Sequence, residues 1–147
     1  PARTDLVNLA FKNKISEKII FAGWKTREEL PKIYQEHDVF VTGSAMETQG
    51  LVILEAMLSG LPVVGVNRYA IPDLVKDGES GFVVGEGKVE AMARAVEKIL
   101  SDSLEAEGMG RTGRQMALAH NISVTGDKIE RLYIRTISGH ENTNNRK

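Results

Sequence analysis

Asp38-Val39-Phe40-Val41-Thr42, a polar loop from Gly43 to Gln49, Gly50-Leu51-Val52-Ile53-Leu54-Glu55-Ala56-Met57-Leu58-Ser59-Gly60, Leu61 and Pro62-Val63-Val64-Gly65-Val66 follow one another without a break. The first and last runs are short, β-branched and bounded by turn residues, which predicts strands; proline stands at the first position of the second one, where a ladder tolerates it. Between them, Leu51 to Leu58 is apolar on nearly every side, the pattern of a helix buried on more than one face. Gly60 is placed to cap that helix. Strand, loop, buried helix, strand is the repeating unit of an α/β sheet.

Reading outward repeats the unit. Ala2 to Asn13 predicts a helix, and Lys18-Ile19-Ile20-Phe21-Ala22 a strand ending at Gly23. Thr26 with Glu29 three residues on forms a capping box, which predicts a helix from Arg27 to Gln35. Downstream the expectation is a short helix over Ile71–Lys76, a turn through Asp77-Gly78-Glu79-Ser80-Gly81, a last strand at Phe82-Val83-Val84, and helices over Val89–Leu100, Leu104–Ala119 and Val124–Ile137. Four strands alternating with helices predict an α/β fold, a Rossmann-like parallel sheet with flanking helices. One domain is expected over residues 1–137, with a polar, flexible tail over 138–147.

Composition narrows the function. The 147 residues carry 19 basic and 20 acidic side chains, a formal charge of -1, which argues against nucleic acid as a partner. The chain has no cysteine, so disulfides, thiol catalysis and cysteine-held zinc are excluded. No apolar run reaches the ~20 residues of a membrane span and no signal peptide opens the sequence, so a cytoplasmic protein is expected.

The chemistry concentrates at the central helix. Glu55 is the only charge in it, and a buried carboxylate without donors would cost several kcal/mol. The helix begins at Gly50, just beyond the end of a strand, where ligands bind in open parallel sheets. Free amides and the helix dipole at that point favour an anion such as a pyrophosphate, and Gly50 would let its oxygens approach closely. Glu55 lies ~7.5 Å further along the axis, within reach of a ribose diol. Glu47, on the preceding loop, would face the group that the diphosphate carries. The plainer reading makes Glu55 half of a core ion pair with an arginine and Glu47 a surface loop charge; spacing alone leaves both open.

Other motifs carry less. Gly108-Met109-Gly110-Arg111-Thr112-Gly113 satisfies the dinucleotide-binding string, but Ser101 to Glu107 reads as a helix junction and no strand precedes it. His37, His120 and His140 lack metal-ligand spacing, and His37 is placed to meet the carbonyls at a helix end. Asn121-Ile122-Ser123 is a glycosylation sequon by text only. No Asp-x-Asp pair is present, so no metal and no cofactor are expected.

The frame Glu47-Thr48-Gln49-Gly50-Leu51-x-x-x-Glu55-Ala56-Met57-x-x-Gly60-x-Pro62-Val63-Val64 resembles the signature of the retaining GT-B glycosyltransferases of the large family four. Ile20-Phe21-Ala22-Gly23-Trp24, Glu29-Leu30-Pro31-x-x-Tyr34, Asp38-Val39-Phe40-Val41, Asp73-Leu74-Val75-x-Asp77-Gly78-x-x-Gly81 and Leu132-Tyr133 extend the resemblance in order, over Pro1 to Ile137. It implies part of the C-terminal, donor-binding domain of a GT-B fold, binding a nucleoside diphosphate sugar as substrate. By resemblance, Glu47 is the catalytic-site residue contacting the transferred sugar, and Gln49, Gly50 and Leu51 offer amides to phosphate and sugar. Glu55 would hold the ribose, and Trp24 and Lys25 would stand where the nucleobase is cradled. Thr48-Gln49 occupies the place of a common Ser-Phe and is similar to enzymes acting on lipids and cell-envelope polymers, which implies peripheral contact with the inner face of a membrane in the full protein.

Two family features lie outside this sequence: the opening strand with its Gly-Arg turn and lysine, and the N-terminal acceptor domain. The expectation is therefore an inactive fragment whose Lys18–Ala22 and Asp38–Thr42 strands lie two strands apart, and which self-associates or recruits its missing segment. The rival expectation is a non-catalytic nucleotide-binding or interaction module that keeps the donor-domain fold.

Overall fold

In the computed structural model, which describes the backbone of residues 2–144 and the side chains of 2–137, the β-branched runs pair as expected. β1 (Phe40–Thr42), β2 (Val63–Val66) and β3 (Gly81–Val84) form a parallel sheet in the order β1-β2-β3. Val41 sits opposite Val64, and Val64 opposite Phe82. Every residue of β2 is buried, which a central strand covered on both faces requires. Val63 points into one apolar layer with Ile53, Met57, Ile71 and Leu74. Its neighbour Val64 points into the opposite layer with Ala95, Ile99 and Met109. Alternation along one strand thus builds two cores.

The elements divide between two units, one ending at Leu30 and one beginning at Pro31. The first holds α1 (Ala2–Lys12) and a 3-10 turn at Ser16–Lys18. The reciprocal bonds of the capping box form there, Thr26 N donating to Glu29 Oε2 at 2.8 Å and Glu29 N to Thr26 Oγ1 at 3.4 Å, but they close a turn and the helix expected from Arg27 begins at Leu30. The amide of Thr26 holds the Glu29 carboxyl below its ordinary pKa. α2 (Leu30–Gln35) begins on the last residue of the first unit, and in the second unit β1, α3 (Leu51–Leu58), β2, α4 (Ile71–Leu74), β3, α5 (Val89–Ser101), α6 (Ser103–Leu118) and α7 (Ile122–Asn144) follow in order.

Several boundaries differ from expectation, for local reasons. Lys18–Ala22 is not a strand: its first residue closes the 3-10 turn, and although Ile19 is extended (φ -117°, ψ 126°), no ladder includes it among the described residues. An extended segment becomes a strand only when its amides and carbonyls are paired. The α5–α6 junction is confined to Asp102, whose carboxylate accepts from Leu104 N and Glu105 N, so Ser103 to Glu107 is already helix. The sequon asparagine is a cap as well, with Asn121 Oδ1 accepting from Ser123 N at 2.9 Å. The last helix continues beyond Ile137 to Asn144. For the expected tail, the side chains of 138–144 and all of 145–147 lie outside the described residues. Among the described residues no helix is long and apolar enough to cross a membrane.

Candidate functional site

The carboxyl end of β1 leads through Gly43–Gln49 into α3. Short hydroxyl turns shape the first half of this loop: Ser44 N donates to Thr42 Oγ1, and Met46 N to Ser44 Oγ, both at 3.3 Å. Glu47 is then held twice. Its carbonyl accepts from Ala70 N at 3.2 Å, and its carboxylate Oε1 accepts from Gly50 N at 2.7 Å. Glu47 therefore caps the start of α3, three residues before the glycine whose amide it takes.

Gly50 adopts φ +70°, a left-handed conformation that glycine enters at little cost. A Cβ here would lie 2.1 Å from Leu74 Cδ1. The missing side chain makes room for Leu74 of α4, so packing and φ both demand glycine at this position. Leu51 and Val52 are exposed at the first turn, 59% and 41%. Among the described residues no side chain accepts from their amides, so the first turn of α3 keeps uncapped donors at the positive end of the helix.

Glu55 is half-buried on the same helix. Among the described residues no cation pairs with it; instead Tyr34 Oη donates to its Oε2 at 3.2 Å. The core ion pair considered from sequence is thus replaced by one neutral donor. Burial, and after it the Glu55 charge and the hydrogen bond, raise the Tyr34 phenol above its ordinary pKa, so it stays protonated as a donor at neutral pH.

The fold brings Glu47, Gly50, Leu51 and Glu55 to one strand–helix junction, with the side chains of Thr48 and Gln49 exposed beside it. Trp24 and Lys25 belong to the first unit, where Trp24 is exposed and Lys25 pairs with Glu29 at 3.7 Å. Sequence reasoning assigned no role to Tyr34 or Tyr69. Tyr69, exposed, holds φ +48° in the loop whose next residue ties down Glu47, a conformation that costs a bulky residue about 1–2 kcal/mol.

The dinucleotide-like string lies inside α6 and no strand leads into it. Two of its glycines pack: a Cβ on Gly110 would lie 2.0 Å from the Gly60 carbonyl, and one on Gly113 3.6 Å from Met57. His37 contacts the Ile33 carbonyl at the end of α2 through Nδ1. Among the described residues no cluster of three or more histidine or acidic side chains is arranged to hold a metal ion.

The family model for glycosyl transferases group 1 matches residues 1–116. The chain is 39% identical over 99 residues to the sulfoquinovosyl transferase SQD2 of Arabidopsis thaliana, which covers 65% of this chain and 19% of that protein. It is also 39% identical over 103 residues to the lipopolysaccharide core biosynthesis glycosyltransferase LpsE of Rhizobium meliloti, covering 69% and 29%. Its fold superposes on sucrose-phosphate synthase from Thermosynechococcus elongatus with a TM-score of 0.83 at 27% identity, over 94% of this chain and 35% of that one. The chain thus spans 19 to 35% of the length of these similar proteins.

Proposed function

Because this chain belongs to the glycosyl transferases group 1 family, we propose that it is the nucleotide-sugar-binding part of a retaining glycosyltransferase. The observation that carries this is the start of α3: a left-handed glycine followed by the amides of Leu51 and Val52, which no side chain accepts from among the described residues, flanked by Glu47 before the helix and Glu55 within it. The diphosphate of a donor sits at the helix start, where the dipole and free amides offset its charge. The Glu55 carboxylate takes the ribose diol, and Glu47 orients the sugar. Thr48, Gln49 and Leu51 line the sugar and phosphate side.

In the transfer the bond from the anomeric carbon to the diphosphate breaks, a bond to the acceptor oxygen forms on the same face of the sugar, and the acceptor's hydroxyl proton leaves with the diphosphate. Charge grows on the departing phosphate oxygen, and amides fixed at the helix start stabilise it without reorganising. Glu47 Oε1 accepts from Gly50 N, so a phosphate oxygen that takes this amide displaces or shares that bond. The Thr48-Gln49 variant, and a relative named for lipopolysaccharide core biosynthesis, support a lipid or cell-envelope glycan as acceptor.

Calorimetry with a nucleoside diphosphate and with its sugar conjugate tests the roles. Glu55→Ala should weaken both ligands by about 10–100-fold, the loss of a charged hydrogen bond worth about 1.5–3 kcal/mol. Glu47→Ala should mainly erase the difference between sugars. Equal losses in both variants for both ligands would sink this division of labour. The helix start supplies the positive potential, so affinity should survive a chelator; restoration of binding only by magnesium or manganese would refute that.

A further inference from the structure

Tyr34 lies 21 residues before Glu55 in sequence, yet its phenol is the one donor to the Glu55 carboxylate among the described residues. The ring is fixed independently of that bond. It packs edge-on against Phe40 at the start of β1, centroids 6.0 Å apart and planes at 67°, and against the apolar layer that contains α3. A glutamate's terminal torsion is otherwise soft, so its carboxyl plane rotates unless something holds it. An arginine or lysine in this place would neutralise the carboxylate and compete with an incoming hydroxyl. A single phenol uses one of about four lone-pair sites and leaves the charge and the second oxygen for a ligand.

Resting on the donor-site reading above, we propose that Tyr34 is a positioning residue: it holds Glu55 Oε2 so that the carboxylate meets a ribose diol already oriented. The raised phenol pKa fits a group that remains a donor rather than a charge. Pre-organisation of this kind contributes to affinity by lowering the ordering cost of binding. It also makes ribose recognition, and not only nucleotide affinity, depend on Tyr34.

The test uses the whole 147-residue chain. UDP, GDP and ADP are titrated, and the tightest is compared with its 2′-deoxy analogue in wild type, Tyr34→Phe and Glu55→Ala. Wild type should prefer the ribonucleotide by roughly 10-fold. Tyr34→Phe keeps the ring against Phe40, so its unfolding midpoint should stay within about 4 °C of wild type. Its ribonucleotide affinity should fall by about 3–10-fold, with the deoxynucleotide affinity within about 2-fold of wild type. Glu55→Ala should abolish the preference. If Glu55→Ala loses the preference while Tyr34→Phe retains it, or weakens both nucleotides equally, the positioning role is overturned and the donor site stands. If Glu55→Ala retains the preference, or none of the three diphosphates binds, the donor-site reading fails and the role of Tyr34 fails with it.

Discussion

The two ends of α3 are built from the same materials and left in opposite states. Each is marked by a glycine with positive φ, Gly50 at +70° and Gly60 at +86°. At the C-terminal end the chain satisfies itself: Gly60 N donates to Met57 O at 2.9 Å, Leu61 N to Ala56 O at 3.1 Å, and Leu61 is buried. Gly110 of α6 presses on the Gly60 carbonyl so closely that a methyl group would not fit. At the N-terminal end one carboxylate caps one amide, and the first turn is open. A helix end closed by its own chain and a neighbouring backbone serves folding. One whose first-turn amides have no side-chain acceptor among the described residues is chemically available, and the donor site is proposed there.

The largest expected effect breaks the closed end. Gly110→Ala would put its Cβ 2.0 Å from a backbone oxygen, where no side chain can swing away. A loss of about 3 kcal/mol, or roughly 6–12 °C in the unfolding midpoint, should follow in a thermal melt. A neutral result would mean that α6 does not approach α3 as described.

Gly50→Ala probes the open end and should cost less. The left-handed conformation contributes about 1–2 kcal/mol, and the close atom, Leu74 Cδ1, belongs to a flexible side chain that can shift. A midpoint drop smaller than that of Gly110→Ala, in the same melt, supports the contrast between side-chain and backbone contact; a larger drop reverses it.

The smallest effect has the opposite sign. Gly108 begins the dinucleotide-like string, but a Cβ there would meet nothing nearer than Arg111 Nη2 at 4.0 Å. Gly108→Ala should stabilise α6 by about 0.5–1 kcal/mol through helix propensity alone and leave nucleotide binding unchanged. Loss of binding would restore the cofactor reading of that string.

Much of this was legible in the residues because it is local. The capping box at Thr26 and Glu29, the alternation that buries Val63 and Val64 on opposite faces, and the all-round apolarity of α3 depend on residues within a few positions of one another. The Glu47 contact with Gly50 was not legible in this way: a capping box places its carboxylate three residues after the N-cap, whereas Glu47 stands three residues before it.

Sequence alone determined the α/β order, the strand–loop–helix junction and the pair of glutamates that mark the candidate site, because hydrophobic period and turn chemistry are properties of contiguous residues. Tertiary structure alone decided that Tyr34 meets Glu55, that Leu74 fills the space beside Gly50, and that Gly110 and Gly113 are packing residues of α6. It also decided that Lys18–Ala22 enters no ladder among the described residues. The physical reason is the same in each case: these outcomes depend on which backbone or side chain arrives from a distant part of the chain, and nothing in the local pattern names that partner.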